Sequence, residues 1–347
     1  MDGLLDACPT ARSRAPNLTE GVHRRRRPAR SVSATAGRRN LLGRITLVGV
    51  ATATLTAVVL LPGHPPAAAT GGPLFGVTID GITHINAIAA AERALPGRAT
   101  TRVYFDVSKP ASFYRAVVSR LSPVTTIMGE LLDSADATHI SAAGYRARVE
   151  SYLATLGPAV SIWEVGNEVN GNWTGPYSDG SAKLTEAYDD VAGAGGTAAL
   201  TLYANEFAPD NCGDGYAELT PAQFSSQYVP EAVRNGLAYV FESYYPTQCK
   251  GVFPTSAQVA TEMEQLHVLY PHALLGFGET GLPRPATRKT MVTAEHIMSW
   301  AYSLNPGLSY YVGGYFWWYA RQDAFLGRKL LATQLAGAFE AEDAVLH

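Results

Sequence analysis

From Leu74 onward, short apolar runs recur along the chain with helical material between them. They are LFGVTI from Leu74, TRVYFDV from Thr101, TTIMGELL from Thr125 and SIWEVGN from Ser161, followed by AALTLYAN from Ala198, LAYVFESYY from Leu237, ALLGFGE from Ala273 and GGYFWWY from Gly313. Runs this short, bounded by turn residues and rich in β-branched and aromatic side chains, read as strands. Amphipathic stretches at Ala142–Leu156, Ser256–Leu269 and Thr290–Leu304 read as helices, and Gln334–Asp343 closes the chain as another. Ile85–Ala94 is the least marked helix, being short and Ala-rich.

Strands that alternate with helices form parallel sheets. Eight such units predict a closed α/β barrel, the (β/α)8 or TIM barrel, rather than an open doubly wound sheet. The 278 residues from Thr70 to His347 are close to the size of one such domain, typically about 250 residues, and no linker or charge block interrupts them.

The N-terminal part has a different character. Residues 1–37 are rich in Arg, Pro, Ser and Ala, with Arg24 to Arg27 in one run, and predict a disordered leader. Residues 38–69 carry an Arg pair, Arg38 and Arg39, then an uncharged apolar run from Ile45 to Leu61 and the small residues Ala67, Ala68 and Ala69. That order is a secretory signal, similar to a twin-arginine signal, cleaved near Ala69. The alternative is an uncleaved N-terminal anchor, since this 17-residue run is at the short end of a span of about 17–25. A secreted or cell-surface bacterial protein is expected, touching a membrane only through an uncleaved leader.

Removing the leader changes the charge. The whole chain is at −3, but residues 70–347 hold 17 Lys and Arg against 27 Asp and Glu, a net of −10. Nucleic-acid binding needs clustered cations, so it is not expected. A neutral polymer or small ligand fits better, and the protein is expected to act as a monomer. Cys8 lies in the leader, which leaves Cys212 and Cys249 as an even pair expected to form a disulfide in an oxidising compartment.

In such barrels the active site lies at the C-terminal ends of the strands. The polar and aromatic residues at those ends are Asp80, Asp106, Glu130, Glu168, Glu206, Tyr244 and Tyr245, Glu279, and Trp317 and Trp318. Carboxylates and aromatics dominate and no His is present, which argues against Ser/His or metal chemistry; His84, His139, His267, His272 and His296 show no paired metal spacing. Glycosidic cleavage needs one protonated and one ionised carboxyl. Glu168 ends the fourth strand in WEVGNEVNGNW, and Glu279 ends the seventh in LLGFGETG.

The Asn167-Glu168 pair after strand four, with Glu279 after strand seven, resembles the clan A retaining glycoside hydrolases. The resemblance covers the part after the leader as architecture and a few short motifs as sequence. It implies Glu168 as general acid/base and Glu279 as nucleophile, with no cofactor or metal and a carbohydrate as partner. It further implies that Arg102 holds the nucleophile ionised, that Tyr244 or Tyr245 hydrogen-bonds it, and that Trp317 or Trp318 floors the sugar site. Asn167 is expected on the sugar 2-hydroxyl. Glu164 is expected to support Arg102 or another buried cation.

Three residues stand outside this pattern. Glu206, in a second Asn-Glu pair on strand five, is assigned to substrate binding. Trp173 reads either as a sugar platform or as loop packing. The Cys212–Cys249 bridge is expected to brace the rim of the cleft. The substrate expected is a β-linked neutral poly- or oligosaccharide; the alternative is a secreted barrel that binds carbohydrate without turning it over.

Overall fold

The structure, a computed structural model, describes residues 72–208, 212, 218–327 and 329–346. The expected leader and export segment lie outside the described residues. Eight parallel strands close into a barrel in the order β1 to β8: β1 Leu74–Ile79, β2 Thr100–Tyr104, β3 Thr126–Glu130, β4 Ile162–Asn167, β5 Ala198–Tyr203, β6 Tyr239–Ser243, β7 Leu274–Glu279 and β8 Tyr311–Trp317. β1 pairs with both β2 and β8, which completes the ring. This is the (β/α)8 barrel that the strand count predicts.

The helices among the described residues are α1 Ile85–Arg93, α2 Arg115–Leu121, α3 Ala142–Leu156, α4 Tyr177–Gly193, α5 Pro221–Tyr228, α6 Glu231–Gly236, α7 Ser256–Leu269, α8 Met291–Ala301 and α9 Ala332–Leu346. Local chemistry sets several starts. The Ser141 hydroxyl accepts from the Gly144 amide at the start of α3. Thr220 with Gln223, and Thr255 with Gln258, form capping boxes that begin α5 and α7.

Two apolar layers follow from period-two alternation. Inward side chains, including Leu74, Met128, Ile162, Tyr239, Phe241 and Phe316, fill the barrel interior. Outward ones, such as Val77, Val103, Trp163 and Val240, pack beneath the helices. A polar layer lies above the interior plug, because Arg102, Glu130, Glu164, Thr201 and Ser243 follow the inward set toward the C-terminal strand ends and are fully or almost fully buried.

Candidate active site

Arg102 on β2 is the hub of this layer. Its guanidinium is fully buried and meets three carboxylates: Nε donates to Glu164 Oε2 at 2.8 Å, Nη1 to Glu279 Oε2 at 2.8 Å, and Nη2 lies 3.1 Å from Glu130 Oε1. One cation cannot compensate three buried anions. Burial drives the Glu130 carboxyl well above its ordinary range, against the pull of Arg102. Glu164 also accepts from the Thr201 hydroxyl.

Asn167 and Glu279 reach this layer because their strands break alternation. On β4, Glu164 pairs with Ala199 but Gly166 pairs with Leu200, so the register skips a residue. On β7, Phe277 pairs with Glu242 but Glu279 pairs with Ser243, again skipping one. An extra residue in one strand reverses the side-chain parity beyond it. Asn167 and Glu279, which strict alternation would send outward beneath the helices, therefore turn inward. Gly278 permits this on β7, since a Cβ there would lie 2.6 Å from Thr201 Oγ1 and 2.8 Å from Phe241 Cβ.

Glu168 follows with a left-handed backbone, φ 47°. Consecutive strand residues normally face opposite ways, yet Asn167 and Glu168 both bond to Ser134. The Ser134 amide donates to Asn167 Oδ1 at 3.0 Å, and its hydroxyl donates to Glu168 Oε2 at 2.7 Å. The hydroxyl of Ser243, at the end of β6, donates to Glu168 Oε1. The Asn167 Nδ2 group, nearly buried, has no hydrogen-bond partner among the described residues.

The two carboxyls differ in electrostatics. Burial, aided by repulsion from Glu279, pushes Glu168 up to about 8, although both serine hydroxyls pull the other way. Burial also raises Glu279, but Arg102 and the Tyr245 hydroxyl oppose it. Glu168 has two neutral donors, whereas Glu279 has a cation and a phenol. The first environment favours a protonated acid and the second an ionised one.

The adjacent aromatics separate cleanly. Tyr245 Oη donates to Glu279 Oε1. Tyr244 turns away, packing against Phe207 and Trp300 and donating to the Val252 carbonyl at 2.9 Å. Trp317 is fully buried with Nε1 on Asp323 at 2.9 Å, while the half-buried Trp318 lies over the Arg102 guanidinium, 5.2 Å from its centre. Tyr244 and Trp317 are thus structural supports, and Tyr245 and Trp318 face the carboxylate layer.

Glu206 and Trp173 have other neighbours. Glu206 is gathered with Glu242 and Glu262; Glu242 alternates with the inward Phe241 and Ser243, which puts the group on the outer side of the barrel wall. Trp173 packs edge-on against Tyr203, with ring centres 5.2 Å apart, and over Gly171, which is the loop-packing arrangement, one of the two expected for it. Cys212 and Cys249 form the disulfide, joining the loops after β5 and β6. Sequence reading passed over Ser134, Ser243 and Asp133. The two serines carry no charge, and Ser134 lies in the loop four residues beyond the end of β3. Asp133 is pushed to about 6 by burial and the nearby Glu279, and its signal was its place three residues beyond Glu130.

No family pattern and no curated protein matches the chain. Solved structures do. A GH10 xylanase from Bispora sp. MEY-1, crystallised with xylobiose, is 12% identical with a TM-score of 0.53, over 77% of this chain and 97% of that one. A GH5-4 broad-specificity endoglucanase from an uncultured bacterium is 13% identical with a TM-score of 0.52, over 79% and 97%. A glycoside hydrolase family 5 enzyme from Prevotella bryantii B14 is 12% identical with a TM-score of 0.50, over 82% and 96%. At such identities the likeness establishes the barrel fold.

Proposed function

We propose that the protein is a retaining glycoside hydrolase that cleaves a β-linked neutral poly- or oligosaccharide by double displacement. The observation that carries this reading is the unequal holding of two inward carboxyls, Glu279 by Arg102 and Tyr245, and Glu168 by Ser134 and Ser243 alone. Glu279 attacks the anomeric carbon while Glu168 gives its proton to the leaving oxygen; Glu168 then takes a proton from the water that hydrolyses the glycosyl-enzyme. The Asn167 Nδ2 group donates to the sugar 2-hydroxyl, a contact that strengthens at the transition state. Trp318 offers a ring face to the sugar C–H groups.

The substrate class rests on the neighbours named for xylan and glucan together with the acidic charge of residues 70–347, which disfavours polyanions. The reading includes export through residues 38–69, checked by the N-terminal sequence of the secreted protein. The deciding experiment is a screen on polysaccharides and aryl β-glycosides, with the anomeric form of the first product followed by proton NMR. Product of retained configuration, lost in both Glu168→Ala and Glu279→Ala, supports the proposal. An inverted product, or turnover that survives both substitutions, rejects it.

A further inference from the structure

Glu242 occupies an unusual position on β6. Its neighbours Phe241 and Ser243 face the barrel interior, so Glu242 points outward, beneath the helices. It is fully buried, and neither carboxylate oxygen has a hydrogen-bond partner. Glu262 enters the same space from α7, 5% exposed, with Oε1 also unpartnered. Glu206 enters from the loop after β5. One oxygen from each of the three lies within 4.8 Å of the others.

Three carboxylates in one buried space repel one another, and no Lys, Arg or His among the described residues eases them. The Asn205 and Glu206 amides give Glu206 some relief, while Glu242 has none. A buried charge with no partner is among the most destabilising features a fold can carry. Either protons or a cation must neutralise the group.

We propose that Glu206, Glu242 and Glu262 form a structural site for a hard divalent cation, with calcium the preferred ion. The donor set is all oxygen, which disfavours zinc and copper. Calcium takes ligands at about 2.3–2.6 Å, so oxygens around one ion lie up to about 5 Å apart, as these three do. Magnesium requires a tighter octahedron at about 2.0–2.1 Å. Three carboxylates offer up to six oxygens, and the unpartnered pair on Glu242 faces the group. The bound ion would tie the loop after β5 to the wall of the barrel and to α7. That loop leads to Cys212, so the ion and the disulfide would hold the same rim from two points.

The test uses the purified full chain, stripped with EDTA, and follows thermal unfolding as calcium, magnesium or manganese is restored. Elemental analysis of the dialysed protein gives the stoichiometry. The expected result is one calcium per chain and a Tm rise of about 5 °C at saturating calcium, with a smaller rise for magnesium. Glu242→Gln and Glu262→Gln each weaken the calcium response at least about tenfold, whereas Glu168→Gln retains it. If Glu242→Gln does not fold, Glu262→Gln and the wild type still decide. A wild-type Tm unmoved by every ion overturns the site, as does a response that survives in the Glu262 variant. Gln variants more stable than an ion-insensitive wild type would identify the group as proton-sharing carboxyls. None of these readouts depends on glycosidase activity.

Discussion

Arg102 donates from Nη1 to Glu279 Oε2 at 2.8 Å, and among the described residues it is the one cation that pairs with that carboxylate. The same guanidinium also holds Glu164 and lies against Glu130, so its fork spans three strands. Arg102→Lys keeps the charge and loses the fork. The expected outcome is a fall in kcat/KM of about 10²-fold. The acid limb of the pH profile moves to higher pH, because a weaker cation lets burial raise Glu279 further. An acid limb that stays in place would mean Arg102 does not set the ionisation of Glu279.

Glu168 gives the basic limb and a stability signature of its own. Its folded pKa of about 8 lies above the ordinary 4.5, so the native state holds a proton that the unfolded chain releases between those values. The contribution is fully present below pH 4.5 and is lost as pH rises to about 8. Glu168→Gln, always neutral, escapes that loss. Urea unfolding of the two proteins is expected to agree at acid pH and to favour the variant by about 2–4 kcal/mol in alkali. Activity of the wild type is expected to decline through the same upper pKa.

The two serines tune that limb. Both hydroxyls donate to Glu168 and favour its ionised form. Ser243→Ala therefore raises the pKa of Glu168 and moves the basic limb of kcat/KM upward. A merely structural role for Ser243 would change the maximum without moving the limb.

Tyr245 and Tyr244 offer a paired control. Tyr245→Phe removes a donor to a charged group, for which about 1.5–3 kcal/mol is typical, so kcat is expected to fall about 10- to 100-fold. Tyr244→Phe strands the Val252 carbonyl and is expected to cost about 1–3 kcal/mol in urea unfolding while leaving kcat nearly unchanged. The reverse pattern would exchange their roles.

Trp318 and Trp317 are separable in the same way. Trp318→Ala removes the half-buried ring proposed to stack on the sugar and is expected to raise KM more than it lowers kcat. Trp317→Phe deprives Asp323 of its indole donor and is expected to lower Tm with KM unchanged. Steady-state kinetics and thermal unfolding of both variants decide the point.

The barrel was legible because eight apolar runs alternate with helical stretches, and Ala142–Leu156 and Ser256–Leu269 match α3 and α7 residue for residue. Strand ends were legible as the place for chemistry, which brought Arg102, Glu168 and Glu279 into view. The choice within Tyr244-Tyr245 and Trp317-Trp318 was not, because each pair falls where regular alternation ends. Parity also misleads on β4 and β7, where a skipped register position turns Asn167 and Glu279 inward. Glu206 shows the converse problem: its Asn-Glu string resembles that of Glu168, but its carboxyl joins Glu242 outside the barrel.

The left-handed backbone of Glu168 sets folding and chemistry against each other at a single position. A chain selected for stability alone would place Gly or Asn there and remove both the backbone strain and the buried carboxyl. Screens that reward thermal resistance without assaying turnover will therefore drift toward losing this side chain. A residue that the proposed reaction requires is thus one that the fold alone would give up.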